Sequence, residues 1–129
     1  MKINLTKSTE DYLEALYIFS KESDDNSVHS LQVAKFLGVS KPAVTKAMNN
    51  LANEGYILKS LYGTITLTEK GKEIGMVIYD KHCTLKNFLI NIGVTEENAS
   101  IDCCKMEHVI SNETFLKIKE FNNKITTNK

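Results

Sequence analysis

The sequence predicts a mainly α chain: a winged helix-turn-helix followed by a second, helical domain. Three observations carry this. Two short amphipathic segments meet at Gly38-Val39-Ser40, a Gly-containing turn between helices. Two β-prone runs, Tyr56–Ser60 and Thr64–Leu67, follow directly, joined by Leu61-Tyr62-Gly63 as a hairpin turn. Three further segments of helical periodicity then fill the remainder of the 129 residues.

In chain order, the first helix is expected from about Ser8, its cap, to Lys21, with Leu13, Leu16, Tyr17 and Phe19 facing inward. Ser23–Ser27 reads as a loop. Ser30 is expected to cap a second helix with Leu31, Val33, Ala34 and Leu37 as its apolar face, ended by Gly38. Ser40 caps a third, with Pro42 in the first turn, where a missing N–H costs nothing. That helix turns Val44, Met48 and Leu51 inward and stops at Gly55. Thr68 caps a long fourth helix to about Ile92, with Ile74, Val77, Ile78, Leu85, Phe88 and Leu89 as its stripe, locally weakened by Gly71 and Gly75. A fifth is expected from Thr95 to about Ile110, and a sixth from Ser111 to about Asn122, leaving 123–129 as a frayed tail. The domain boundary falls at residues 72 and 73, giving 1–72 and 73–129.

Composition excludes several classes. The chain is 42% apolar and 25% charged with one Pro, ordinary for a soluble globular protein. No apolar run approaches the roughly 18 residues of a membrane span, and Met1–Leu5 has no signal-peptide core. Cys83, Cys103 and Cys104 are a poor disulfide framework, so a reducing cytoplasm is the expected compartment. Net charge is zero, but residues 28–67 hold four lysines against Glu54, a local +3. A basic motif in a neutral chain suits double-stranded DNA. Ser40, Lys41, Pro42, Ala43, Thr45 and Lys46 open the expected recognition helix, and Lys59 and Tyr62 lie in the wing. All 16 basic residues are Lys, so no guanidinium fork is available for guanine, and DNA shape and backbone charge must carry more of the recognition.

A second constellation has the chemistry of a metal site. Asp11 and Glu14 share a face of the first helix. Cys104, Glu107 and His108, at i, i+3 and i+4, share a face of the expected fifth, and His82 lies mid-way along the fourth. Carboxylates, imidazoles and a thiolate together suit a first-row divalent ion. Blander readings stay open at this point: Asp11 as a first-turn acid, Glu14 as a solvated residue, His82 as a core histidine, Cys104 as an apolar filler. Cys83 and Cys103 point off their neighbours' faces and are assigned to packing. No nucleophile–base pair or Gly-rich phosphate loop is present, so neither an enzyme nor a small organic substrate is expected.

Four segments carry a resemblance: residues 8–17 (STEDYLEALY), 39–46 (VSKPAVTK), 67–71 (LTEKG) and 107–111 (EHVIS). They resemble the diphtheria toxin repressor / manganese transport regulator family, in order and register to about Phe121. The resemblance implies a divalent metal corepressor that enables operator binding by a homodimer, to control metal-ion homeostasis genes. It implies metal ligation by Asp11, Glu14, His82, Cys104, Glu107 and His108. Asp11 and Glu14 match manganese-type members, Cys104 the iron type, and Glu107-His108 the pair shared by both. Mn²⁺ is favoured, with Fe²⁺ or Zn²⁺ as other candidates. Lys86 and Ser100 stand where iron-type members place ancillary ligands, which argues against a second site of that type. The competing expectation is a winged-helix regulator not controlled by metal.

Overall fold

The computed structural model describes residues 5–127. Helix α1 (Lys7–Glu22) starts earlier than expected, because Thr6 and not Ser8 is the cap. Thr6 is extended, and its Oγ1 accepts the Thr9 N–H at 3.1 Å. Ser30 is likewise the first residue of α2 (Ser30–Leu37) and not its cap. His29 precedes the helix, and its N–H donates to Gln32 Oε1 at 2.9 Å. Gly38, at φ 67°, closes α2 in the left-handed region that favours glycine. Ser40 does cap α3 (Lys41–Asn53), accepting the Ala43 N–H at 3.3 Å.

The wing has one strand more than the hairpin. β1 (Val28–His29) pairs with β3 (Thr64–Leu67), which pairs with β2 (Ile57–Lys59), giving the antiparallel order β1-β3-β2. Val28 lies opposite Ile65, and Ile57 opposite Leu67. A two-residue strand shows no alternation, so β1 left no signal in the sequence. At the hairpin tip the Ser60 Oγ accepts the N–H groups of Tyr62 and Thr64, both at 3.2 Å.

Helix α4 (Glu69–Asn91) is capped by Thr68, whose Oγ1 accepts the Gly71 N–H at 3.2 Å and whose hydroxyl donates to the Gly55 carbonyl at 2.7 Å. Gly71 and Gly75 are packing positions rather than weak points. A Cβ at Gly71 would collide with the Tyr56 carbonyl; at Gly75 it would stand 2.8 Å from Tyr17 Cβ and 3.0 Å from the Leu13 carbonyl.

The chain divides into two compact units, Met1–Tyr79 and Asp80–Lys129, each with its own core. The first core gathers Leu13 and Leu16 of α1, Val33 of α2, Val44, Met48 and Leu51 of α3, Val28, Ile57 and Ile65 of the sheet, and Ile74 and Ile78 of α4. Leu31 and Val77, expected inward, are nearly half exposed.

The second core gathers Leu85 and Leu89 of α4, Ala99 and Cys103 of α5 (Glu96–Met106), and Phe115 of α6 (Asn112–Thr127). Two boundaries differ from expectation. α5 ends at Met106, so Glu107 is its C-cap and His108 lies in the following turn. α6 runs past Asn122, because that residue is buried and bonded: Asn91 Nδ2 donates to its Oδ1, and the Thr126 hydroxyl to its carbonyl, both at 2.8 Å. The expected frayed tail is therefore helical to Thr127, and residues 128–129 lie outside those described. Ile101 and Val109 are exposed. No described helix is long and apolar enough to cross a membrane.

Candidate metal centre and nucleic-acid interface

In the first unit, burying Val44, Met48 and Leu51 leaves the opposite face of α3 to solvent. Lys41, Pro42, Ala43, Thr45 and Lys46 are all exposed there, as the sequence suggests. Asn49 and Asn50 continue the same face, and with Lys41, Pro42, Thr45 and Lys46 they line one shallow depression. Asn49 and Asn50 lie beyond the expected contact residues, which end at Lys46. The spacing of Lys46 and Asn50, four apart, is the signal that extends that set. Two hydroxyls there are already engaged. Ser40 caps the helix, and Thr45 Oγ1 donates to the Lys41 carbonyl at 3.1 Å, leaving its lone pairs for a donor on a base. Tyr62 is 92% exposed at the wing tip. Lys59 Nζ donates to Asn49 Oδ1 at 2.6 Å.

On α1, Asp11 is half-buried and Glu14 buried. Lys7, one turn before Asp11, pairs with its Oδ2 at 3.1 Å.

In the second unit, Glu107 is the centre of the candidate ligands. Its side chain is almost fully buried. Its Oε2 lies 3.3 Å from His82 Nδ1 and its Oε1 3.3 Å from His108 Nε2. One helix face does not produce this, since His108 is beyond the end of α5; the turn delivers it instead. Burying a carboxylate is costly unless charge or hydrogen bonds compensate it. Two imidazoles at this range offset its charge only if protonated, whereas a divalent cation shared with them would offset it while they stay neutral. The donor set thus fits a first-row ion.

Cys104 is exposed, and its Sγ lies 3.7 Å from His82 Nδ1. Cys103 packs in the second core, as a packing residue should, yet its Sγ also lies 3.7 Å from His82 Nδ1 and 3.8 Å from Nε2. Helical spacing within α5 does not by itself place Cys103 against His82. Burial, reinforced by negative charge on Cys104 and Glu107, pushes the Cys103 thiol up to about 12. It stays protonated and donates to the Ser100 carbonyl at 3.4 Å. Cys83 is exposed.

Residues 4–64 match the family model "Iron dependent repressor, N-terminal DNA binding domain", and residues 68–129 match "Iron dependent repressor, metal binding and dimerisation domain". The HTH-type transcriptional regulator MJ0568 of Methanocaldococcus jannaschii is 41% identical over 118 residues, 91% of this chain and 94% of that protein. The HTH-type transcriptional regulator MntR of Bacillus subtilis is 36% identical over 106 residues, covering 82% of this chain and 73% of MntR. Among solved structures, the manganese regulator SloR superposes with a TM-score of 0.75 at 27% identity, over 92% of this chain. The chain spans only 55% of the SloR chain, about half its length. With both domain models matched in order and a relative above 30% identity across most of its length, this chain belongs to the diphtheria toxin repressor / manganese transport regulator family of metal-dependent transcriptional repressors.

Proposed function

We propose that the chain is a cytoplasmic repressor that binds operator DNA as a homodimer when loaded with a divalent metal, Mn²⁺ in preference to Fe²⁺, and so controls metal-ion homeostasis genes. The observation that carries it is the buried Glu107 carboxylate held 3.3 Å from both His82 and His108, in a chain whose other unit presents an exposed α3 beside a wing. The proposed ligands are Asp11, Glu14, His82, Cys104, Glu107 and His108. Asp11 and Glu14 enter on the family pattern.

The preference for Mn²⁺ follows from donor hardness: three carboxylates against a single thiolate, Cys104. Affinity alone does not decide it, since Zn²⁺ binds such N/O/S sets more tightly than either ion. The bound cation supplies positive charge that offsets mutually repelling carboxylates. The proposed contacts of Lys41, Lys46, Lys59 and Tyr62 are with phosphate, and those of Ser40, Ala43 and Thr45 with base edges, while Pro42 sets the helix start. The dimer is supported by the apolar surface of the second unit, where Ile92, Leu116 and Phe121 are each more than half exposed.

The test is a mobility shift with duplex DNA from upstream of the chain's own gene, under anaerobic reducing conditions, across Mn²⁺, Fe²⁺ and Zn²⁺ series. Retardation that requires metal, at lower free Mn²⁺ than Fe²⁺, is the expected result. Equal retardation in chelator would overturn metal control.

A further inference from the structure

The second unit holds a donor cluster that shares His82 and Cys104 with the proposed ligand set and adds Cys103 to them. His82, Cys103 and Cys104 each offer one donor atom, and these atoms lie within 4.8 Å of one another. Adjacent residues on a helix point about 100° apart, so neighbouring cysteines do not ordinarily share a target. Here they share one, because His82 comes from α4 and not from α5.

The spacing is informative. A tetrahedral ion with metal–sulfur near 2.3 Å and metal–nitrogen near 2.0–2.1 Å sets an N and an S donor about 3.6 Å apart. The observed separations from His82 Nδ1 are 3.7 Å to each sulfur. Two sulfurs and an imidazole are a soft set, suited to closed-shell thiophilic ions rather than Mn²⁺.

We infer that His82, Cys103 and Cys104 form a site for a thiophilic divalent cation, Zn²⁺ or Cd²⁺, in which Cys103 supplies the second thiolate. On binding, the Cys103 proton now donated to the Ser100 carbonyl passes to solvent and the sulfur turns to the ion. His82 is a fork: its Nδ1 is also 3.3 Å from Glu107 Oε2. One lone pair serves one ion at a time, so a thiophilic ion draws His82 away from the carboxylate side. That competition rests on the function proposed above; ligation by the two sulfurs does not.

The experiment is X-ray absorption at the zinc edge on the full chain loaded with equimolar Zn²⁺. The expected result is two sulfur scatterers per zinc at about 2.3 Å in the parent, and one in Cys103→Ala and in Cys104→Ala. Cys103→Ser, which keeps the volume, repeats the measurement should the alanine variant misfold by circular dichroism. Cd²⁺ affinity of the Cys103 variants should fall by about tenfold or more, the scale seen when even an outer partner of a ligand is lost. Mn²⁺ affinity should be unchanged. One sulfur per zinc in the parent, or the same count in the parent and the folded Cys103 variant, overturns the site. Two sulfurs in a parent whose DNA binding ignores Mn²⁺ would uphold this site and overturn the proposed function instead.

Discussion

Lys59, on wing strand β2, donates to Asn49 on α3 at 2.6 Å and so ties the wing to the exposed helix face. An ammonium has three N–H donors, so this bond leaves Lys59 two for phosphate. Lys59→Met and Lys41→Met should each flatten the salt dependence of DNA binding by about one unit of slope. Slopes measured from 50 to 200 mM salt decide this, and an unchanged slope for both would move the interface off α3 and the wing.

Gly75→Ala should destabilise the chain by about 1–3 kcal/mol, as overpacking does. Helix propensity alone argues the reverse, a gain near 1 kcal/mol. The 2.8 Å approach to Tyr17 Cβ decides the sign. Denaturant unfolding of the parent and variant reads it directly, and a stabilised variant would refute the packing.

Asp25 titrates low, at about 2 instead of 3.8, because the Ser27 hydroxyl, the Ser27 N–H and the Ser23 hydroxyl all donate to its carboxylate. Its contribution to stability is complete above 3.8 and disappears as pH falls through about 2. In Ser27→Ala the midpoint followed by NMR should rise toward the ordinary value. An unmoved midpoint would mean that other groups hold it down.

Asp11→Asn should raise the Mn²⁺ concentration needed for DNA retardation while changing unfolding free energy by less than about 1 kcal/mol, since the pair it loses with Lys7 is a solvated one. In the companion variants, Asp11→Met should shift the preference toward Fe²⁺ and Cys104→Glu further toward Mn²⁺. A larger loss of stability than of metal response would make Asp11 a structural acid.

Sedimentation should show a dimer at micromolar concentration, with apolar surface of the second unit covered. Phe121→Asp, at a residue 53% exposed and set edge-on to Phe88, should shift the equilibrium toward monomer. A parent that sediments as a monomer with and without metal would remove the dimer.

Much of this was legible in the sequence, and the misses have physical causes. The α3 core residues Val44, Met48 and Leu51 followed from period 3.6, and the Ser40 cap from its position before Pro42. Ser8 is as good a cap as Thr6 by residue type, and only the extended backbone at Thr6 separates them. α6 overran its predicted end because the polar Asn122 is buried through partners 31 residues earlier in sequence and four later. Candidate ligands on separate helices were recognisable by donor type. Cys103 was not, since its meeting with His82 depends on how α4 packs on α5.

Helix α4 contributes Ile78 to one core and Leu85 to the other. This has a consequence for the nascent chain. Every residue of the first core has been synthesised once Ile78 is added, whereas Cys103, Cys104, Glu107 and His108 all come later. Domains fold as units, N-terminal first, as they leave the ribosome. The first core's residues therefore leave the ribosome ahead of the second unit's donors, and the packing of that core uses none of those donors.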